Sequence, residues 1–298
     1  MVPGESFFVA ASLAIVCTVQ KRLIADNGHL MKLVKQLVEK PWGRNDLPSS
    51  FGNGAGKKIG EVWYRHDGPD QLPLLVKWLF TSEKLSIQVH PNDAQANERG
   101  MASGKEECWF IVDAEPGAVL GVGTTRALTP DELRSASLSG DIENLMDWKP
   151  VTAGDYYYIP AGTVHAIGAG ITLIEVQQPA DITYRLYDYG RLDKGALREL
   201  HLDDGVAVSN AKPYADPRSG HVDRSRQLVD GPHFGLWFVQ DPASLEALNH
   251  DVDRWVVPVN GPVRSGENIA TTGECLFVAA GAGISMEPHT RLLLAIAC

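Results

Sequence analysis

Gln88 and His90 stand two apart in the run Leu85-Ser86-Ile87-Gln88-Val89-His90-Pro91, and this spacing constrains the fold more than any other feature of the chain. In an extended strand, residues i and i+2 leave the same face, so both polar side chains point the same way. Two further segments of the same kind follow in order, Gly104-Lys105-Glu106-Glu107-Cys108-Trp109 and Pro160-Ala161-Gly162-Thr163-Val164-His165. If two more strands pack alongside the first, Glu107 and His165 join Gln88 and His90. A Gln, two His and one Glu make an N/O donor set that suits zinc, manganese, iron or nickel better than calcium. Any one of these residues alone is as readily a satisfied core or rim side chain. Three punctuated segments in order make a metal site the better reading.

From about residue 60 the chain alternates short apolar runs with Gly, Pro and Asp: Leu74 to Leu79, Leu85 to Val89, Cys108 to Asp113, Tyr156 to Ile159 and Thr172 to Val176. This spacing predicts a mostly β fold, an antiparallel sandwich or barrel. A helical insert is predicted at Thr129 to Leu145, where Thr129-Pro130-Asp131-Glu132 supplies an N-cap, a Pro at N1 and acids in the first turn. Leu133, Ala136 and Leu138 add part of an apolar stripe. Asp193 to Leu200 is a second, shorter helix candidate. Residues 203–225 are polar, with Lys212-Pro213, Asp216-Pro217 and Ser219-Gly220, and read as a linker. Beyond it lies a faint repeat, in which 153–165 aligns with 272–284. His165 is answered there by Ile284, so the C-terminal unit, 226–298, is expected to be structural and to lack a metal ligand at that place.

The 298 residues are 44% hydrophobic, enough for two modest domains or one large one. A net charge of −10 argues against a general nucleic-acid binder, and no block of like charge marks a disordered tail. Four scattered cysteines, Cys17, Cys108, Cys275 and Cys298, form no Cys-x-x-Cys pair, which fits a reducing cytoplasm and disfavours a thiolate zinc site. Phe7 to Val19 is apolar but too short to span a bilayer. As a signal-peptide core it lacks a preceding Lys or Arg and a following Ala-x-Ala. Met31 is the expected natural start, with residues 1–30 an extension, and no membrane association is expected.

The three metal-ligand segments, the opening Glu39-Lys40-Pro41-Trp42-Gly43 and the later Asp181-Ile182-Thr183-Tyr184-Arg185-Leu186-Tyr187-Asp188 together resemble the type I mannose-6-phosphate isomerases, in their short bacterial form. The likeness runs from roughly Met31 to Arg191 and is thin beyond the linker. It implies a double-stranded β-helix (cupin, or jelly roll) fold in two cupin-like units, with residues 31–202 carrying the metal and the chemistry. It implies interconversion of mannose 6-phosphate and fructose 6-phosphate with one zinc ion per chain, in a cytoplasmic monomer or homodimer acting on a small phosphosugar. Gln88, His90, Glu107 and His165 are the implied zinc ligands. Glu107 takes that place rather than Glu106 because it precedes the matching Cys108-Trp109, and only one of two adjacent acids on a strand faces inward.

An anionic substrate in an acidic protein needs a local cation. The resemblance implies Lys77, eleven residues before Gln88, as the phosphate contact. Ser86 shares the strand face of Gln88 and is expected to donate its hydroxyl to phosphate. Lys105, two before Glu107, is expected to face the site as an acid/base group or a second phosphate contact. Arg185, twenty residues after His165, takes the position of an active-site residue in the short members. An Arg stays protonated, so its expected role is to stabilise an enediolate or clamp an oxygen. Asp181, four before it, is expected to orient Arg185 or bind sugar hydroxyls. Glu175, which alternates with Gln177 on the strand after His165, is expected to line the pocket. Lys105, Glu175 and Asp181 stay open as the proton-transfer group. One competing reading is a metal cupin acting on another sugar or oxidising a small molecule; open-site iron oxygenases usually show a 2-His-1-carboxylate triad instead. Another is a non-catalytic sugar-phosphate sensor, which would be expected to have lost a ligand or Arg185.

Overall fold

The computed structural model describes residues 31–298 apart from 53, 70, 194, 249 and 250. The N-terminal extension, its apolar run 7–19 and the choice of start lie outside the described residues. Alternation within short strands decides the layers. In the strands Ile87–Val89 and His165–Ile167, Gln88 and His165 face one side, while Ile87, Val89, Val164 and Ala166 join an apolar cluster on the other. Both strands belong to a five-stranded sheet ordered Tyr184–Tyr187, Ile87–Val89, His165–Ile167, Val119–Thr124, Met146–Pro150. Helices Pro130–Ser139, Ile142–Leu145 and Leu202–Val208 cover its outer face through Leu133, Ala136, Ile142, Val206 and Val208.

The inner face lies against a seven-stranded sheet ordered Ser219–His221, Asp155–Ile159, Glu107–Ala114, Ile171–Gln177, Leu75–Phe80, Ile59–Arg65, Val34–Arg44. Leu79, Trp109, Ile111, Leu120, Val122 and Leu173 fill the space between the two. This larger sheet is buried on both faces, which is why Leu75–Phe80 is buried at every position. Its far face packs Trp78, Phe110, Tyr158 and Ile174 against Leu236, Phe238, Trp255 and Leu293 of a six-stranded sheet. Phe110 and Phe238 stack across the joint with ring centroids 5.5 Å apart. Burying each such side chain contributes roughly 1.5–3 kcal/mol, so the aromatic joint fixes how the two sheets sit. The six-stranded sheet runs Met31–Lys32, Leu276–Val278, Arg254–Asn260, Arg291–Ala297, Phe234–Val239, Arg226–Asp230. Its other face meets a three-stranded sheet (Asn268–Ala270, Val263–Ser265, Ser285–Met286) and the helix Pro242–Ala247.

The result is two antiparallel sandwiches back to back, the mostly β architecture expected. The first two described strands tie them together, since Met31–Lys32 pairs in the second sandwich and Val34–Arg44 in the first. The helical insert forms as Pro130–Ser139 and Ile142–Leu145, divided at Gly140. Thr129 Oγ1 accepts from Glu132 N–H and Glu132 Oε2 from Thr129 N–H, the reciprocal cap that the sequence offered. Two expectations are corrected. Residues 193–200 are not a helix: Leu192–Asp193 and Ala196–Leu197 pair as a hairpin, with Gly195 at φ 84° in its turn, a conformation no helix tolerates. The segment 203–225 is not a free linker either. It holds most of the helix Leu202–Val208 and the strand Ser219–His221, which pairs with Asp155–Ile159. Ile284 is buried in the core of the second sandwich. No helix among the described residues is long and apolar enough to cross a membrane.

Candidate metal centre

His90, Glu107 and His165 converge inside the first sandwich, buried, with their ligand atoms within 4.8 Å of one another. It is the one cluster of this kind among the described residues. Gln88 pairs across the five-stranded sheet with His165 on one side and Arg185 on the other, so all three side chains leave one face. Glu107 opens the strand Glu107–Ala114 of the facing sheet. Gly104 permits that approach: a Cβ there would stand 2.5 Å from both Asn92 C and Pro91 O. Backbone bonds then stitch the three motifs together. Lys105 N–H donates to Pro91 O at 3.0 Å, and Gly162 N–H to His90 O at 2.8 Å.

The donor set fits a metal ion. His90 Nδ1 donates to the Ile182 carbonyl at 2.7 Å and His165 Nδ1 to the Thr163 carbonyl at 2.8 Å. These bonds fix the tautomers and turn each Nε2 lone pair toward the cluster. His90 Nε2 lies 3.6 Å from Glu107 Oε2, and His165 Nε2 lies 3.5 Å from Glu107 Oε1. His90, Glu107 and His165 would hold such an ion, the carboxylate standing between the two imidazoles. Gln88 turns Nε2 toward His165 Nε2 at 3.3 Å and accepts from Ser86 Oγ through Oε1 at 3.1 Å. A half-turn of that amide would present Oε1 to the cluster instead. Burial pushes His165 down to about 4 and His90 well below its usual range, so both rings are neutral, as ligation requires. Lys105 Nζ reaches into the cluster, 2.9 Å from Glu107 Oε2 and 3.2 Å from His90 Nε2. Apart from that ion pair, neither Glu107 oxygen finds a donor among the described residues. Burial and the nearby Glu175 raise Glu107, a shift that a bound cation would reverse.

Beside the cluster, charges alternate along neighbouring strands. Trp109, Glu175, Lys77 and Trp63 stand opposite one another in register across four strands of the seven-stranded sheet. Glu175 accepts from Trp109 Nε1 at 3.1 Å and pairs with Lys77 Nζ at 3.1 Å. Lys77 lies over the Trp63 ring at 4.7 Å, Trp63 Nε1 donates to Glu61 Oε2 at 2.5 Å, and Lys40 pairs with Glu61 at 3.1 Å. Burial alone would raise Glu175, but Lys105 and Lys77 outweigh it and hold this carboxylate well below its usual range. Burial opposes the charge on Lys105 too, and Glu107 and Glu175 overcome it, so the ammonium persists.

The structure thus gathers Gln88, His90, Glu107, His165, Lys105, Glu175 and Lys77. Lys77 is only 3% exposed and is committed to Glu175 and Trp63. Ser86 contacts Gln88. Arg185 is half-buried, its Nη1 donating to the Glu199 carbonyl at 2.7 Å. Asp181 is exposed and lines a 680 Å³ cavity with Arg65, His233 and Cys298, whose walls do not include the His–Glu cluster. Glu106 instead accepts from the Tyr158 hydroxyl. Sequence reasoning passed over Glu61, Trp63 and the indole of Trp109. The available signal was the strand Ile59–Arg65, where Glu61, Trp63 and Arg65 share one face.

Two packed jelly-roll sandwiches with one buried His–Glu–His cluster define a cupin of the metal-binding class. No protein-family model matches the chain. Mannose-6-phosphate isomerase of Bacillus subtilis (strain 168) is 37% identical over 231 residues, 72% of this chain and 72% of that protein. The enzyme of that name from Streptococcus mutans is 36% identical over 254 residues, 72% of this chain and 79% of its own. The chain belongs to the mannose-6-phosphate isomerase family. A crystal structure of the Bacillus subtilis mannose 6-phosphate isomerase superposes with a TM-score of 0.74 at 26% identity, covering 89% of this chain and 99% of that one. A zinc-bound mannose 6-phosphate isomerase shares the fold at 14% identity, TM-score 0.65, covering 90% and 99%.

Proposed function

We propose that the protein interconverts mannose 6-phosphate and fructose 6-phosphate with one zinc ion held by Gln88, His90, Glu107 and His165. The observation that carries this reading is the buried N/O donor set standing beside an ionised Glu175 and a charged Lys105, in a chain of this family. When bound, zinc would polarise the sugar's carbonyl and hydroxyl oxygens as negative charge moves between those on C1 and C2. The reaction itself shifts one proton between C2 and C1, and one between their oxygens, through a cis-enediol. Glu175 is buried beside the cluster, 3.9 Å from Lys105, and is the group we assign to take and return the carbon-bound proton. Asp181 is the weaker candidate, because it lies on the exposed cavity wall. Lys105 stays charged and is assigned to donate to the developing oxyanion. Arg185 faces the same side as Gln88 and is assigned to clamp the enediolate oxygens.

Ser86 and Lys77 are the proposed phosphate contacts. A phosphate at Lys77 would share one ammonium with Glu175 and so raise the basicity of that carboxylate. The free Cys108 and Cys275 support a cytoplasmic setting. Formation of fructose 6-phosphate by the purified, zinc-loaded protein tests the reading. Turnover of mannose 6-phosphate is expected to exceed that of unphosphorylated mannose by at least about 100-fold, because a site built for an anion rejects the analogue lacking it. A folded, zinc-loaded protein that binds mannose 6-phosphate without converting it would be the sensor instead.

A further inference from the structure

We infer that His201 is the positioning residue for Arg185, an inference that rests on the catalytic reading of Arg185 above. The strand Tyr184–Tyr187 is the edge of its sheet: one side pairs with Ile87–Val89 and the other has no strand neighbour among the described residues. An edge strand leaves its outward N–H and C=O groups in need of partners. At Arg185, and through one residue, both are satisfied. His201 N–H donates to Arg185 O at 2.8 Å, and Arg185 N–H donates to His201 Nδ1 at 3.0 Å. The second bond requires an unprotonated Nδ1, so the ring is the neutral Nε2–H tautomer. The same short segment grips the guanidinium as well: Arg185 Nη1 donates to the Glu199 carbonyl at 2.7 Å. Arg198, one residue further back, donates to Asp188 Oδ2 at 3.0 Å, closing the segment 198–201 onto the end of the strand.

The other end of this strap is fixed by packing. His201 immediately precedes the helix Leu202–Val208 and accepts from Gly205 N–H through its carbonyl at 2.7 Å. Gly205 lets the helix sit close on the strand, since a Cβ there would stand 2.8 Å from Leu186 Cδ2. Val206 and Val208 anchor the helix in the apolar cluster behind the sheet. The ring of His201 is therefore held by a packed helix and delivers that rigidity to the backbone of Arg185. Gln88 stays paired with His165 on its other side, so a slackened Arg185 changes the reach of its guanidinium toward the site and not the donor set of the metal.

The test compares His201→Ala, His201→Asn and Arg185→Ala in the full zinc-loaded chain, reading kcat, KM, bound zinc and melting temperature. An Asn side chain places an acceptor close to where Nδ1 stands. The expected result is a fall of about tenfold in kcat for His201→Ala, KM within about twofold, zinc unchanged, and recovery to within about threefold of the parent in His201→Asn; a positioning error costs rate more than binding. In an Arg185→Ala background the His201→Ala change is expected to cost no further rate. Unchanged kcat in a folded His201→Ala, with Arg185→Ala impaired, overturns this inference alone. So does an equal fall in His201→Ala and His201→Asn that tracks lost melting temperature. If Arg185→Ala itself keeps full rate, the catalytic reading of Arg185 falls, and this inference with it.

Discussion

His165 satisfies three relations at once: it pairs in register with Gln88, its Nδ1 is tied to the Thr163 carbonyl, and its Nε2 lies 3.5 Å from Glu107. Removing the ring takes a ligand from the cluster but leaves Val164 and Ala166 in the apolar layer behind it. His165→Ala is therefore expected to fold, to lose most of its bound zinc and to lose at least about 100-fold in turnover, since even outer partners of metal ligands are worth 10–100-fold. Metal analysis beside a steady-state assay reads both; full turnover in a metal-free variant would remove His165 from the site. The sequence made these residues legible because a two-residue spacing on a strand survives any packing. It did not show the neighbours of Lys77. Lys77 meets Glu175 and Trp63 only through the register of adjacent strands, and register is written in the partners' sequences, some of them nearly a hundred residues away.

At the scale of elements, the tight crossing of the first two motifs depends on Gly104. A methyl group there meets backbone atoms of Asn92, Pro91 and Asp93 at 2.5–2.7 Å, and backbone cannot step aside as a side chain does. Gly104→Ala is expected to cost about 1–3 kcal/mol of stability and to weaken zinc retention, because it pushes Glu107 away from His90. Gly100→Ala is the control: its φ of 75° brings strain of about 1 kcal/mol, but nothing lies within 4 Å of the new methyl and zinc binding should not change. Urea unfolding and metal titration of both variants decide the point, and equal zinc affinities would contradict it. The helical insert was legible because caps are local chemistry, and Thr129 with Glu132 forms the reciprocal bond that the spacing offered. The hairpin at Leu192–Leu197 was not: Asp193 to Leu200 has helix-compatible residues, and Gly195 decides against them. The strand Ser219–His221 was hidden for a related reason, since its pairing with Asp155–Ile159 is non-local and its own residues are small and polar.

For the molecule as a whole, the second sandwich supplies the apolar wall on which the seven-stranded sheet rests. Phe238, Trp255 and Leu293 bury the face opposite to the one that carries Glu107 and Glu175. This places the buried charges on a sheet rigid from behind, where preorganised charge stabilises a transition state with little rearrangement. Only a faint repeat announced that unit in the sequence, because a structural sandwich is specified by apolar alternation that many residues satisfy. The metal cluster is small beside the four apolar cores, so the fold is expected to outlast removal of the metal. The most direct test follows mannose 6-phosphate turnover and zinc content of the full chain as prepared, after chelation, and after zinc is restored. The account predicts close to one zinc per chain, turnover abolished with the fold intact after chelation, and turnover recovered on adding zinc. Undiminished turnover by the metal-free protein would contradict it.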